Sequence, residues 1–262
     1  MWGQSCYAGS GLSDGYKHSM RAGILIIGSL LWDNGKRAEW RSARLQLEQK
    51  IRVKAPICYG RMSQSRGNTF TMTFRPDATL GQAILVQCKE PAGSVDGLVA
   101  EAEALWKAEQ PAASTNSIGT NWGCVGAVFG MPNTTQLIAE WRDVFRARAT
   151  PVSPINADGV LQIDWPSLLD GRPVDFHVIL ATATKALTHR PTATEIADAW
   201  IGQNEGFEQY FFENVRNGIR TPDDQSIYRR IEYCSPRWLE SEAYADVIAR
   251  LREEVTEGTI TK

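Results

Sequence analysis

Apolar residues recur with two different periods along this chain, and the change of period divides it. Before about residue 130 they fall in short runs, continuous or alternating, as in strands buried on one or both faces. The runs Ile24–Leu30, Gln46–Val53, Ala55–Arg61, Thr69–Phe74, Gln82–Cys88 and Cys124–Phe129 are rich in β-branched or aromatic residues and bounded by Gly, Pro or Asn. We expect these to be strands, with Val174–Ala183 as a later one. Ser65-Arg-Gly-Asn68 separates two of them and reads as a hairpin turn.

A spacing of three and four takes over in Asp96–Glu109, Thr135–Arg148, Thr194–Gln203, Phe207–Asn217, Asp223–Arg230 and Ser241–Glu254, which predicts helices. Their ends carry separate signals. Thr192-Ala-Thr-Glu195 is a capping box, in which hydroxyl and carboxylate each satisfy a free backbone N–H. Gly218 supplies a C-terminal stop, and Thr221-Pro222 a cap followed by proline at the first helical position. Strands come first and helices last, which predicts an α+β fold whose C-terminal helices pack on a sheet or barrel. Residues 1–19, rich in Gly and Ser, read as a flexible N-terminal tail, and 20–262 as a single domain. Ala149–Asp158, with its two prolines, is the candidate loop or lid.

Composition narrows the partners. A length of 262 residues is ample for a core. A net charge of −2 with mixed signs argues against a nucleic-acid partner held by bulk electrostatics. No apolar run approaches the roughly 20 residues that span a bilayer, so no membrane partner is expected. Five cysteines, Cys6, Cys58, Cys88, Cys124 and Cys234, contain no C-x-x-C pair, which favours reduced thiols in a cytoplasm. His18, His177 and His189 share no ligand spacing with each other or with a cysteine, so no metal site is expected. His177 alternates with apolar neighbours as a strand residue, and Cys124 reads as a core thiol. Phe207, Tyr210, Phe211 and Phe212, at helical spacing, read as core packing. Neither a nucleophile elbow, a dinucleotide fingerprint nor a P-loop is present.

One helix carries a chemical hint. Leu98, Val99, Ala102, Leu105 and Trp106 form an apolar stripe, and Glu109 falls near its centre, four residues after Leu105. Glu101 and Glu103 lie to either side and are expected in solvent. Pro111 should stop the helix by Gln110, leaving Glu109 in the last turn. There the helix dipole and desolvation would both raise its pKa, the setting of a general acid/base. The alternative is a helix-end glutamate that bends out to water.

A second hint lies in Gly23-Ile-Leu-Ile-Ile-Gly-Ser-Leu-Leu-Trp32. The apolar run stops at Gly28-Ser29, where a residue without Cβ permits a sharp turn that presents N–H groups to an anion. Ile27-Gly-Ser-Leu-Leu-Trp32 resembles the Tyr-Gly-Ser-(Asn/Leu)-Leu signature of the gamma-glutamylcyclotransferase family, most closely its glutathione-degrading branch, with Ile27 in place of the tyrosine. Leu105-Trp-Lys-Ala-Glu109-Gln is similar to the family segment whose Glu is the acid/base, with Trp106 and Gln110 replacing its Asp and Gly. Trp122-Gly-Cys-Val-Gly-Ala-Val, Gly60-Arg-Met-Ser-Gln-Ser-Arg-Gly-Asn-Thr-Phe-Thr and Gly206 to Ile227 follow the family's order.

The resemblance implies a mixed β-barrel with flanking helices and a helical C-terminal part. It also implies a reaction in which a gamma-glutamyl compound cyclises to 5-oxoproline and releases an amine. That reaction is intramolecular and requires no metal or cofactor, because orientation supplies much of the rate. Glu109 would move the proton, and the backbone at Gly28, Ser29, Leu30 and Leu31 would hold the α-carboxylate or oxyanion. Arg61 and Arg66 flank the Ser63-Gln-Ser65 turn and would clamp the far end of a peptide substrate, or else are merely solvated. Two other readings remain open: an inactive scaffold that binds a small acidic metabolite or a protein, and an enzyme acting on a different amide.

Overall fold

Strand β1 (Ala22–Ile26) runs through the middle of a sheet, which is why its side chains are apolar without interruption and wholly buried. It pairs antiparallel with β5 (Gly81–Gln87) on one side and parallel with β9 (Val178–Thr184) on the other. Beyond β5 lies β2 (Ile51–Ala55), and beyond β9 lies β7 (Gly123–Phe129); both pairings are antiparallel. The short β8 (Ser167–Leu168) and β6 (Gly119–Thr120) form the edges of this seven-stranded sheet. The computed structural model describes residues 20–92, 94–130, 135–203 and 207–260; residues 1–19, expected as a tail, and Gly206 lie outside these.

A separate hairpin, β3 (Ile57–Ser63) and β4 (Thr69–Phe74), continues from the end of β2 through Pro56. Its turn contains Gly67 and Asn68, both with positive φ, as the Ser65–Asn68 signal predicts. The hairpin leans across to the far end of β9: Thr73 Oγ1 donates to Thr184 O at 3.0 Å, and Leu187 N to Gly60 O at 2.7 Å. The fold is therefore α+β, and among the described residues no pairing joins the sheet edges into a closed barrel.

Helices α1 (Lys36–Arg44), α2 (Val95–Glu109) and α3 (Thr135–Arg148) form one layer, in which α2 packs on β7 and β9 and against both other helices. The stripe Leu98, Val99, Ala102, Leu105 and Trp106 is buried as its phase predicts. A second cluster comprises α4 (Ala193–Ile201), α5 (Phe207–Arg216), α6 (Asp224–Cys234) and α7 (Ala245–Ile260), with α4 against β4. The capping box at Thr192 and Glu195 is formed, and Gly218, at φ 80°, ends α5. At α6 the helix begins later than Thr221-Pro222 suggests, with Asp223 as its N-cap, because the Thr221 hydroxyl bonds the Asp224 carboxylate instead of capping a backbone N–H.

Other differences have local causes. β1 ends at Ile26 rather than Leu30, since the chain folds into a hydrogen-bonded turn at Gly28. Gln46–Val53 splits into a turn of 3₁₀ helix and β2, and Val174–Ala183 becomes strand only from Val178. The 149–158 segment is a loop with Val152 and Ile155 buried, held by Asn156 Oδ1, which accepts from Asp158 N and Val160 N. His177, just before β9, accepts the Arg21 N–H on Nδ1 at 3.0 Å and so has a structural partner. Helix α1 was not expected at all.

The C-terminal helices are tied to the sheet by Arg220, whose backbone pairs with Gln82 on β5. Its Nε donates to Asp224 Oδ2 at 2.8 Å, and its two terminal nitrogens to the Glu254 carboxylate at 3.0 and 2.7 Å. Asp224 is 1 % exposed; burial pushes its carboxyl up, against the pull of Arg220. Arg220→Met should therefore destabilise the protein by about 3–5 kcal/mol, because it strands a buried acid. Adding Asp224→Asn should recover part of that loss in urea unfolding. An unchanged midpoint for Arg220→Met would show that the network contributes little.

Candidate functional site

The turn after β1 is built by backbone bonds and locked by a buried cation. Leu31 N donates to Gly28 O at 3.0 Å and Asp33 N to Ser29 O at 2.8 Å. Arg41, 7 % exposed, donates to Leu30 O at 2.6 Å and to Asp33 O at 2.8 Å, and burial lowers its pKa. The N–H groups of Ser29 and Leu30 donate to no other described group, which leaves two backbone donors at one corner. Gly28 does not adopt a positive φ, unlike five other described glycines. What it allows is a close approach: a Cβ there would lie 3.3 Å from the Tyr210 hydroxyl, which would have to give by a few tenths of an ångström. The expected reason for glycine, a sharp turn, gives way to a close approach. Leu31 points the other way, into the core, and lines no part of the cleft described next.

Beside the turn opens a cleft of about 800 Å³. Ile27, the residue after β1, lines it; β3, β4 and β9 supply Arg61, Thr71 and Thr182, α5 supplies Tyr210, and the last turn of α2 supplies Glu109. Six of the sequence-predicted residues meet here: Gly28, Ser29, Leu30, Arg61, Arg66 and Glu109. Thr182, only 7 % exposed, brings a hydroxyl that has no partner among the described groups. Tyr210 is both core and cleft: it is 4 % exposed, stacks edge-on near Trp32 and accepts the Met72 N–H at 3.0 Å. Phe211 and Phe212 are core, while the Phe207 side chain lies outside the described set.

Glu109 is not a lone carboxylate on an apolar face. Its Oε2 accepts from Arg37 Nη2 at 2.7 Å, and the two side chains are 18 % and 20 % exposed. The other terminal nitrogen of Arg37 donates to Ser29 Oγ at 2.6 Å and to Asp33 Oδ2 at 2.9 Å. A single guanidinium therefore spans the turn and the end of α2. Arg37 sits in the first turn of α1 and was missed by sequence reasoning; a basic residue four places after Asp33 was the available signal. Arg44, on the same helix, explains a second surprise. Glu101, expected in solvent, is 2 % exposed and pairs with Arg44 at 3.0 Å because α1 covers that face of α2. Burial still raises its pKa. Glu103, also expected in solvent, is ion-paired with Arg148 and partly shielded.

The two arginines flanking the hairpin turn differ. Arg66 donates to Ser29 Oγ at 3.3 Å, approaches Asp33 at 3.9 Å and lies over the Tyr210 ring. The Arg61 guanidinium rests 4.6 Å above the Trp122 ring and makes neither an ion pair nor a hydrogen bond among the described residues. Burial lowers its pKa, opposed by Glu109 across the cleft. Cys124 is buried and its thiol pushed up to about 11, which fits a core thiol. Among the described residues no group of three His, Cys, Asp or Glu is placed to hold a metal ion, and no helix is long and apolar enough to cross a membrane. Comparison with protein-family models, curated proteins and solved structures finds no match.

The corner at Ser29 and Leu30 should bind a small carboxylate. Gly28→Val pushes branched carbons toward the Tyr210 hydroxyl, which should cost about 1–3 kcal/mol of stability by overpacking and displace the donors. In a calorimetric titration the variant should lose binding of 5-oxoproline. Binding equal to that of the parent protein would remove the turn from the site.

Proposed function

We propose that the chain catalyses gamma-glutamyl cyclotransfer: an α-amine attacks the γ-carbonyl of the same molecule, forming 5-oxoproline and releasing an amine. The observation that carries this reading is the single guanidinium of Arg37 holding Ser29 and Glu109 in one cleft. An acid/base candidate and a turn with two unengaged backbone donors thereby line the same cleft.

The chemistry needs few parts. A γ-glutamyl head enters with its α-carboxylate toward the corner formed by Arg37 and the N–H groups of Ser29 and Leu30, and its α-ammonium toward Glu109. The Glu109 carboxylate takes one proton, and the freed amine forms a C–N bond to the γ-carbon. The tetrahedral oxyanion is met by the Thr182 hydroxyl or a backbone donor. Glu109 passes its proton to the leaving nitrogen as collapse breaks the original C–N bond, then takes the second proton from the cationic ring nitrogen and hands it to the departing amine, which leaves as an ammonium. No water is consumed, and no group outside the substrate and Glu109 changes covalently. The far end of the substrate extends toward Arg61, whose guanidinium is free for a carboxylate.

Two features of the fold support the family reading. The hairpin β3–β4 spans from the end of β2 to the end of β9, as the missing side of an opened barrel would. Ile27 stands where the family signature has tyrosine, and Tyr210 brings a phenol to Gly28 from α5.

Glu109→Gln keeps the shape and the capacity to bond Arg37 but removes the titrating group. With a panel of γ-glutamyl amino acids, it should lower kcat by about two to four orders of magnitude and raise KM by about tenfold or less, since the amide still accepts a hydrogen bond from the ammonium but no longer pairs its charge. Full activity in this variant would exclude Glu109 as the acid/base. Absence of 5-oxoproline release from every γ-glutamyl compound by the parent protein, with binding retained, would favour a small-molecule binding scaffold.

A further inference from the structure

Arg37 and Glu109 form an ion pair at the place where the reacting end of a substrate must sit, and both also line a neighbouring cavity of about 440 Å³. The pair therefore belongs to the lining of both cavities. Arg37 has a second anion, Asp33, and a hydroxyl, Ser29, so it stays positioned when Glu109 lets go. Arg66 reaches the same serine and aspartate, which adds positive charge at that corner. Leu30 and Asp33 are held from behind by Arg41, so the donors and Asp33 are fixed before any ligand arrives.

We infer that Arg37 selects the substrate by an exchange of ion pairs: an α-amino-acid zwitterion inserts between Arg37 and Glu109, its carboxylate taking Arg37 and its ammonium taking Glu109. The inference rests on the cyclotransferase reading for its choice of ligand head. Two opposite charges are paired before binding and four after it, so no charge is left uncompensated in the cleft. A ligand bearing only one of the two charges breaks the Arg37–Glu109 pair and leaves one partner unmatched. For the γ-glutamyl head of the proposed reaction, the exchange makes Arg37 the group that requires a free α-carboxylate. The exchange also brings the ammonium onto Glu109, the proton acceptor of the proposed reaction. Arg37 acts as a positioning and specificity residue.

The test compares ligands differing at one group. γ-Glutamylglycine, its α-methyl ester and 4-aminobutyrylglycine, which lacks the α-carboxylate, are titrated calorimetrically into the parent protein, Arg37→Met and Arg37→Lys. Hydrogen bonds between charged partners predict that the parent binds γ-glutamylglycine about 10- to 100-fold more tightly than either analogue. In Arg37→Met that ratio should shrink by about tenfold, and Arg37→Lys should recover part of it. A purely structural role for Arg37 would weaken all ligands alike and leave the ratio unchanged, which overturns the inference. If Arg37→Met does not fold, the parent protein decides: equal binding of acid and ester overturns the exchange. Turnover separates this inference from the activity it rests on. Release of 5-oxoproline with a ratio indifferent to Arg37 removes the exchange and keeps the cyclotransferase. An Arg37-dependent ratio without any turnover keeps the exchange and removes the cyclotransferase.

Discussion

The site depends on one guanidinium. Arg37 bonds Ser29 in the turn after β1, Asp33 at the turn's far end and Glu109 at the end of α2, so two elements distant in sequence share one fixed point. Each partner alone would be a poor anchor: an exposed ion pair contributes little, and a hydroxyl less. Together, and partly shielded, they constrain where the end of α2 can lie against the sheet. The same contacts neutralise a carboxylate that would otherwise face an apolar helix stripe. Geometry and electrostatics at this corner are therefore set by one residue of a helix that carries little apolar surface of its own.

That helix also shows where sequence reasoning stops. The central strands were legible because they bury most of their side chains, and a run such as Ala22–Ile26 has no other stable home; the two-residue edge strands β6 and β8 carry no such run and were not expected. The helices α2 and α3 were legible by phase, and Thr135–Arg148 by both ends. Helix α1 was not, because Lys36–Arg44 offers Trp40 as its only large apolar residue and Gly35 ahead of it makes no side-chain cap bond. Its stability comes from α2 and from polar anchors such as Arg41, tertiary gains that no periodicity reports. Its charge arrangement, Glu39 in the first turn and Arg41 and Arg44 in the last, was the faint local signal.

The consequences of missing α1 ran through the reading of α2. Phase alone placed Glu101 in solvent and Glu109 on a bare apolar face, yet both meet arginines of α1. Periodicity reports which residues share a side of a helix; it cannot report a second helix that covers the other side. Gly28 teaches a related point. Its position at the site was legible, but its reason was not, since the constraint is a tyrosine hydroxyl from a helix far along the chain. Arg61 and Arg66 were grouped by sequence proximity and separated by their neighbours, Trp122 for one and Ser29 with Asp33 for the other.

The arginines around the cleft thus form a graded series. Arg41 is buried, donates to backbone carbonyls and does not line the cleft, so it shapes the turn without meeting a ligand there. Arg37 and Arg66 are engaged with side chains that a carboxylate can replace or join. Arg61 is held only by its stack on Trp122, where a guanidinium keeps its in-plane donors available. The cleft is consequently more positive than a chain with net charge −2 would suggest, and its free donors increase from the turn at Ser29 toward the hairpin at Arg61. A ligand with negative charge at both ends and a positive charge near the Glu109 end matches that gradient. A ligand with the opposite polarity would set its ammonium against Arg61 and its carboxylate against Glu109, and like charges at short range disfavour that orientation. The direction in which such a ligand would bind is thus set by charges that the fold also pairs for its own stability.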